Sequence, residues 1–370
     1  MKVRMAQMHV DDATRQAVLR VLESGRWIHG PEGEAFEREF ARMLGARHAV
    51  VCANGTVALY MALWALGIRP GDEVVVPSFS FVATATPVVA HGAKPVFVDV
   101  RPDTYTLDVM QVERAITAKT RAIVPVDLYG HPVPEIKRLQ EIADERNIPV
   151  LEDACQAHGA TLNGQACGTF GKLSAFSFYP SKNMTVAGDG GALATNDDDL
   201  ATKLRMLRDA GRRPGAKYDH DVVGLNFRLS EMQSAVGRVQ LAKLPEWNEA
   251  RRRNAAELTK RLTGTPGITL PIETPGARHV YHQYVIRVDG PDGSARDALA
   301  AHLRERGVET IIHYPVPIHE QPWARAAYGE LALPNSSRAA REVLSLPVHP
   351  KLTPEDVALV AEGVTSFRRR

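Results

Sequence analysis

The chain has 370 residues, of which 44% are hydrophobic and 24% are charged. These proportions are typical of a soluble globular protein, and the length is sufficient for two domains with a large buried core. The formal net charge is +2, from 45 basic and 43 acidic residues. This balance gives no sign of the basic surface that binds nucleic acids or anionic membranes, so we expect a small-molecule partner and neither of those.

The cysteines and the first residues bear on the compartment. Cys52, Cys155 and Cys167 show neither the spacing of a disulfide framework nor that of a zinc finger. The sequence starts without the apolar run of a signal peptide, and no apolar stretch is long enough to cross a bilayer. We therefore expect a cytoplasmic protein with reduced thiols and no bound metal.

Apolar runs of strand length alternate with amphipathic stretches through the first two thirds of the chain. This is the pattern of a parallel sheet covered by helices. The predicted strands are residues 48–52, 73–76, 95–98, 122–126, 149–152, 174–178 and 191–195, and the predicted helices are residues 56–66, 81–91, 108–116 and 135–146.

The pattern changes after Ser230. A long amphipathic run reaches about residue 262, and we expect Pro245 to bend or split it. Beyond it we predict strands at 284–288 and 308–312 and helices at 294–306 and 354–367. We therefore predict a large domain over residues 1–245 and a smaller α+β domain over residues 246–370.

Four polar clusters follow predicted strands, and ligands of open parallel sheets gather at the carboxyl ends of strands. The first is Asn54-Gly55-Thr56, before a helix whose first N–H groups would face an anion. The second places Asp153 after an apolar strand, where a carboxylate can meet a cationic ring nitrogen. Taken alone, each is explained more simply by helix capping or a surface ion pair. A metal site from Asp153, Cys155 and His158 lacks a second cluster of soft ligands.

The third cluster, residues 176–183, contains Lys182 between an aromatic-rich strand and the glycines of 188–191. Most lysines are solvated surface charges. An apolar neighbourhood, however, would lower the pKa of the amine and make it nucleophilic, and Ser177 would offer a hydroxyl to a phosphate. The fourth cluster, residues 224–231, is a polar turn before a helix that needs no functional explanation by itself.

In combination and in this order, the clusters resemble the DegT/DnrJ/EryC1/StrS family of sugar aminotransferases, which depend on pyridoxal phosphate (PLP). The most specific stretches are residues 54–56, 152–156, 177–183 and 224–228, and residues 313–317 are similar to the C-terminal motif of the family. The resemblance extends from Gly30-Pro31 to residues 345–347. It implies the fold type I architecture of PLP-dependent transferases, which is α/β, with a mostly parallel seven-stranded sheet between helices and a smaller C-terminal α+β domain.

The resemblance also implies roles for individual residues. Lys182 matches the lysine that forms a Schiff base with PLP and then moves protons, and Asp153 matches the carboxylate that faces the pyridine nitrogen. Gln156 matches the partner of the phenolic oxygen, and Phe81 matches the ring that stacks on the pyridine. The positions that match phosphate-binding residues are Gly55, Thr56 and Ser177.

Asn226 matches a residue that reaches the phosphate in the neighbouring subunit, which implies a homodimer with a shared active site. L-glutamate would leave its amino group on the cofactor, and a keto-sugar would then take it, with ping-pong kinetics. We expect a UDP- or dTDP-linked keto-hexose aminated at C3 or C4. The candidate substrate residues are His313, Tyr314 and Arg228, and His319 is a further candidate.

Two alternatives remain from the sequence. One is an aminotransferase for a cyclitol such as inosose, and the other is a sensory or regulatory dimer that retains PLP without turnover. Some members of the family carry a histidine in place of the Schiff-base lysine and remove a sugar hydroxyl. Lys182 argues against that dehydratase reaction.

Overall fold

The computed structural model describes residues 1–367. Within this range the chain forms thirteen β-strands and twelve α-helices. The strands are β1 (His48–Cys52), β2 (Glu73–Pro77), β3 (Lys94–Val98), β4 (Thr120–Ile123), β5 (Leu151–Asp153), β6 (Thr161–Leu162), β7 (Gln165–Ala166), β8 (Leu173–Ser177), β9 (Gly191–Thr195), β10 (Ile268–Thr269), β11 (Ala277–Arg278), β12 (Tyr284–Val288) and β13 (Val343–Leu346). The helices are α1 (Asp12–Ser24), α2 (Pro31–Leu44), α3 (Gly55–Ala65), α4 (Thr86–Ala90), α5 (Val109–Ala115), α6 (Ile136–Asp144), α7 (Asp198–Arg208), α8 (Glu231–Leu262), α9 (Ser294–Glu305), α10 (Pro322–Tyr328), α11 (Pro334–Glu342) and α12 (Pro354–Thr365).

A seven-stranded sheet forms the centre of the large α/β region, in the order β3-β2-β4-β5-β8-β9-β1. Parallel ladders join β3, β2 and β4, and another joins β5 to β8. Single parallel bridges from Ile123 to Val150 and from Val126 to Asp153 connect β4 to β5. Within this described sheet β9 alone runs opposite to the other six strands, so its ladders to β1 and β8 are antiparallel. The predicted mostly parallel seven-stranded sheet is confirmed.

Helix α3 is apolar on nearly all sides and packs into the core, so its position relative to the sheet is fixed. Its residues Ala58, Leu59, Met61 and Ala62 are buried beneath the sheet. Because α3 begins three residues after the end of β1, its N-terminus lies at the edge where β1, β5 and β8 end. The other face of the sheet is covered by α2, whose Phe36 and Phe40 contact Phe178.

The C-terminal part of the chain is α+β, as predicted. An antiparallel sheet in the order β10-β12-β13 packs with α9, α12 and the second half of α8 around a separate apolar cluster. Helix α8 contributes to both regions, and residue 245 lies inside it. Within residues 1–367 no helix is both long and apolar enough to cross a membrane.

Three predicted elements differ from the structure. Pro245 does not split α8, because buried residues on both sides of it, Leu244 and Trp247 among them, hold the helix in one piece. Residues 308–312 form no strand, since Val308 bridges to Val3 and Ile311 bridges to Ser345, so no continuous ladder forms. The predicted helix 81–91 becomes a 3₁₀ turn (Val82–Thr84) followed by the short α4, which starts beside Pro87.

Candidate active site

A cavity of about 610 Å³ opens at the carboxyl ends of β1, β5 and β8. Parallel strands deliver their carboxyl ends to one edge of a sheet, so residues distant in sequence meet there. Nine of the candidate cofactor and substrate residues line this cavity: Gly55, Thr56, Phe81, Asp153, Gln156, Ser177, Lys182, His313 and Tyr314.

The N-terminus of α3 forms one end of the cavity. The Asn54 side chain accepts the N–H of Val57 at 2.9 Å and so caps the helix. The N–H groups of Gly55 and Thr56 belong to the first turn and have no acceptor within the helix. A Cβ on Gly55 would lie 2.7 Å from the Cβ of Ser177, so only glycine allows the strand and the helix to approach this closely. This end of the cavity suits an anion.

Asp153 is buried at the end of β5. Its Oδ2 accepts the hydroxyl hydrogen of Thr84 at 2.9 Å, and its Oδ1 accepts the N–H of Cys155 at 3.2 Å. These two donors hold the carboxylate in one orientation toward the cavity. A carboxylate fixed in this way can stabilise a protonated ring nitrogen.

Lys182 enters the cavity from the turn after β8. Its backbone N–H donates to the carbonyl of Tyr179 at 2.8 Å, which fixes the turn. Burial lowers the pKa of the Lys182 amine, although the charges of Cys155 and Asp153 act in the opposite direction. A lowered pKa increases the neutral, nucleophilic fraction of a lysine.

Gln156 and Tyr314 form a polar wall. Gln156 accepts the backbone N–H of Tyr129 at 2.8 Å through Oε1 and donates to the Tyr314 hydroxyl at 3.1 Å through Nε2. Phe81 lies half-exposed beside Tyr314, with ring centroids 5.9 Å apart. Phe81 is thus an aromatic residue of the cavity lining, and its stacking on the pyridine ring stays a prediction.

The comparisons with known proteins agree with this geometry. The model of the DegT/DnrJ/EryC1/StrS aminotransferase family matches residues 9–365. The chain belongs to this family. It is therefore an aminotransferase, and the prediction from the sequence motifs is confirmed.

Relatives within the aminotransferase family align over nearly the whole chain. The dTDP-3-amino-3,4,6-trideoxy-alpha-D-glucose transaminase of Streptomyces venezuelae is 46% identical, over 96% of this chain and 92% of its own. A pleiotropic regulatory protein of Geobacillus stearothermophilus is 43% identical, over 94% of this chain and 92% of its own. The crystal structure of S. venezuelae DesV in complex with a ketimine intermediate has a TM-score of 0.91 and 46% identity, covering 95% of this chain and 93% of that one.

The family is PLP-dependent, and the residues of this chain fit that cofactor. The helix N-terminus and the missing Cβ at Gly55 leave a cradle for a phosphate. Asp153 and Lys182 line the same cavity, which supplies a carboxylate for a ring nitrogen and an amine for an aldehyde.

Two cavity histidines have depressed pKa values. Burial, with the charge of Lys182, lowers the pKa of His313 to about 4, and its Nδ1 lies 2.8 Å from the Ser345 hydroxyl. His282 was not predicted from the sequence, and burial followed by the charge of Lys182 lowers its pKa well below the usual value. Both rings are therefore neutral near pH 7.

Three predicted residues lie outside the lining of this cavity in residues 1–367. Arg228 forms an ion pair with Asp209. His319 is buried with its Nδ1 at 2.5 Å from the Ser78 hydroxyl. Asn226 is exposed. The residue after it, Phe227, is tied to the strand end beside the cavity, because its carbonyl accepts the N–H of Ala53 at 2.8 Å.

Proposed function

We propose that this aminotransferase binds PLP and carries an amino group from L-glutamate to a nucleotide-linked keto-sugar in two half-reactions. The observation that carries the proposal is the convergence of Lys182, Asp153 and the N-terminus of α3 on one cavity. Each group alone has a simpler structural explanation. Together they match the amine, the carboxylate and the anion site that PLP chemistry needs.

PLP, when bound, supplies an aldehyde that captures amines and a ring that accepts the electrons of the bond being broken. The residues of this chain place and protonate the reacting groups. The first turn of α3, with Ser177, would bind the phosphate, and Asp153 would keep the ring nitrogen protonated. The Lys182 amine, once free, would take a proton from the substrate carbon and deliver it to C4′ of the cofactor.

The surroundings of Lys182 favour this proton transfer. A general base works best when its pKa lies close to the operating pH, and burial lowers the pKa of the Lys182 amine toward that range. His282 and His313 remain neutral in the same cavity, so they place no further positive charge beside the Lys182 amine. Phe81 and Tyr314 would cover the ring and exclude water.

The substrate is inferred from a relative. The S. venezuelae transaminase is named for a dTDP-linked 3-amino sugar. We infer a dTDP- or UDP-linked keto-hexose as the acceptor here, with amination at C3 ahead of C4. An inosose-type cyclitol remains the alternative acceptor, and it is distinguished by lacking the nucleotide.

We also propose a homodimer in which Asn226 completes the site of the neighbouring subunit. Asn226 is exposed and lies outside the cavity of its own chain. Apolar side chains are exposed on the adjoining segments, with 54% of Trp27, 64% of Ile28 and 77% of Val223 accessible, and Ile28 bridges to Ser230. Exposed apolar residues grouped in this way are typical of an interface.

A second function is suggested by the name of the G. stearothermophilus relative, a pleiotropic regulatory protein at 43% identity. In this case the chain would hold PLP and signal its state without turnover. The two functions differ in one observable, which is whether an amino donor converts the lysine-bound cofactor to its amino form.

The decisive experiment is the visible spectrum of the PLP-loaded protein before and after L-glutamate, with Lys182→Ala as the test variant. Lys172→Ala is the matched control, because Lys172 forms a surface ion pair with Asp197 at 2.7 Å. We expect the absorption of the lysine-bound cofactor in the wild type and in the control only. Glutamate should remove it, and a nucleotide-linked 3-keto-sugar should restore it more effectively than inosose.

Each other result has a definite meaning. A band that glutamate leaves unchanged would favour the regulatory function or a different donor. A band that persists in Lys182→Ala would show that another residue binds PLP, and the proposed function would fail. Steady-state rates should give parallel double-reciprocal lines, as a ping-pong mechanism requires.

A further inference from the structure

A pair of buried carboxyl groups lies behind Asp153, on the side of the sheet away from the cavity. Asp127 and Glu152 are 2% and 1% exposed. An oxygen of each lies within 4.8 Å of the other and of the Cys167 sulfur. Successive side chains of a strand point to opposite faces, so Glu152 points away from the cavity that Asp153 lines.

Burial raises the pKa of Glu152, but backbone donors oppose this effect and favour its charged form over that of Asp127. Its Oε1 accepts the N–H of Gly168, and its Oε2 accepts the N–H groups of Phe170 and Gly171 at 3.0 and 3.3 Å. A carboxylate that accepts three backbone hydrogen bonds is stabilised in its charged form.

Asp127 faces this charge with a single backbone donor. Its Oδ1 accepts the N–H of Val133 at 3.0 Å, whereas its Oδ2 is buried without a hydrogen-bond donor among the described residues. Two adjacent buried carboxylates repel each other, and a proton on Oδ2 removes this repulsion. Burial, together with the negative charge of Glu152, raises the pKa of Asp127. The third titratable group is the Cys167 thiol, whose pKa burial also raises.

Asp127 begins the turn that leads to the active site. Its N–H donates to the carbonyl of Asp153 at 3.1 Å, and its carbonyl accepts the N–H of Gly130 at 3.2 Å. Within this turn, between Asp127 and Gly130, Tyr129 has a φ of 60°. This left-handed region costs a non-glycine residue about 1 kcal/mol or more. A backbone of this kind persists only where its surroundings hold it. The N–H of Tyr129 is the donor to Gln156.

We propose that Asp127 is a positioning residue, which through a proton shared with Glu152 holds the strained turn that orients Gln156. This inference rests on the proposed function, because Gln156 matters only as a cofactor contact. Asp127 touches neither the cavity nor the reacting atoms. Its influence passes through the backbone of Tyr129.

The shared proton is tested by infrared spectroscopy of the full-length protein, with and without PLP. We expect the wild type at pH 7 to show the carbonyl stretch of a protonated carboxylic acid, and Asp127→Asn to lose it. Asp99→Asn is the matched control, because Asp99 is equally buried but accepts four hydrogen bonds, from Val100, Asn335 and Ser336. That control should keep the band.

The positioning role is tested by two substitutions with different chemistry. Asparagine can still accept from Val133 and donate to Glu152, so Asp127→Asn should bind PLP within about threefold of the wild type. Asp127→Ala loses both hydrogen bonds, and its Kd for PLP should rise by about tenfold or more, since small displacements of binding groups are costly. Asp127→Val also lacks both hydrogen bonds but fills more of the space, and it serves if the alanine variant does not fold.

The outcomes separate this inference from the proposed function. The infrared measurement reads the carboxyl group directly, so it stands even if PLP does not bind. An absent band in the wild type, a band that survives in Asp127→Asn, or a stoichiometric metal ion lost in that variant would overturn the shared proton. Equal PLP affinity of the folded asparagine and alanine (or valine) variants would overturn the positioning role.

Discussion

Gly55 occupies a position where the addition of one methyl group creates a collision. An alanine Cβ there would lie 2.7 Å from the Cβ of Ser177 and 3.2 Å from the sulfur of Cys155. Relief requires β8 and α3 to move apart, which displaces the first turn of α3. We predict that Gly55→Ala raises the Kd for PLP by about tenfold to a hundredfold, as overpacking by 1–3 kcal/mol implies. Titration of the purified protein with PLP, followed by absorbance, measures this change.

Removal of the opposing atom provides the control. In Gly55→Ala combined with Ser177→Gly, the colliding Cβ of Ser177 is gone, so the double variant should bind PLP more tightly than Gly55→Ala alone. Ser177→Gly alone should bind more weakly than the wild type, because a hydroxyl is lost. If the double variant is no better than Gly55→Ala, the collision is not the cause.

Substitutions of Asp153 and of Thr84 should slow the glutamate half-reaction by different factors. Asp153→Asn removes the charge that would keep the ring nitrogen protonated, and we predict that the glutamate half-reaction slows by about 10²-fold or more. Thr84→Val removes only the hydroxyl that donates to Oδ2, so we predict a loss of about fivefold, near the value of one hydrogen bond. Stopped-flow absorbance gives both rates. Equal losses in the two variants would contradict the assigned role of Asp153.

At this scale, the sequence predicts the residues that lie in local motifs at strand ends. Gly55, Asp153, Ser177 and Lys182 each follow an apolar run, and parallel strands bring such positions together. Thr84 and His282 also line the cavity but have no such signal. Thr84 comes from an irregular turn, and His282 approaches from the C-terminal part of the chain, so their positions depend on tertiary packing.

The junction of α2 and α8 shows how one element caps another. Glu231, the first residue of α8, is buried and accepts the N–H groups of Gly30, Glu32 and Gly33 at 2.7, 2.9 and 2.8 Å. It thereby satisfies the start of α2 and places a negative charge at the positive end of that helix. We predict that Glu231→Ala lowers the free energy of unfolding by about 3 kcal/mol, as loss of charged hydrogen bonds implies.

Urea denaturation measures this loss, and Ser230 provides the comparison. Ser230 caps only its own helix α8, through the N–H of Gln233. Ser230→Ala should therefore cost about 1 kcal/mol. A Glu231→Ala variant no less stable than Ser230→Ala would show that the capping of α2 contributes little.

Secondary-structure elements could be predicted from the sequence where they consist of a continuous apolar run. The seven strands of the central sheet are short apolar runs with both faces covered, and all seven were predicted. The hairpin of β6 and β7 was not, although Asn163-Gly164 at its turn is a hairpin signal. The strand predicted at 308–312 is apolar enough, but its partners are single residues on two different segments. Sequence periodicity carries no information on such partners.

For the whole molecule, the proposed shared site predicts complementation between subunits. Lys182→Ala has no lysine for PLP, and Asn226→Ala should weaken the cofactor site of its partner. A mixed dimer of the two variants contains one site with both residues intact. At sub-saturating PLP, mixed dimers should therefore transaminate faster than either variant alone, measured by amino-sugar formation. If Asn226 served its own chain, mixing would bring no gain.

Acid lability should be a property of the whole fold, because buried histidines must stay neutral in it. Burial, with nearby Lys182 or Arg251, lowers the pKa of His158 to about 3 and those of His313 and His349 to about 4. In the unfolded chain these rings have a pKa of about 6.5. Between pH 6.5 and 4 the unfolded state thus binds more protons, and stability falls as the pH falls.

As the pH falls through that window, each histidine lowers the free energy of unfolding by up to about 1.4 kcal/mol per pH unit. Above about pH 6.5 it has no such effect. His349 allows a test away from the cavity, because its Nδ1 accepts the N–H of Lys351 at 3.3 Å and a glutamine oxygen can do the same. We predict that His349→Gln loses less stability than the wild type between pH 6.5 and 4.5, by urea denaturation at each pH. Because both proteins share every other titrating group, the difference between their slopes isolates this ring. Parallel profiles would mean that His349 is protonated as readily in the folded protein as in the unfolded chain.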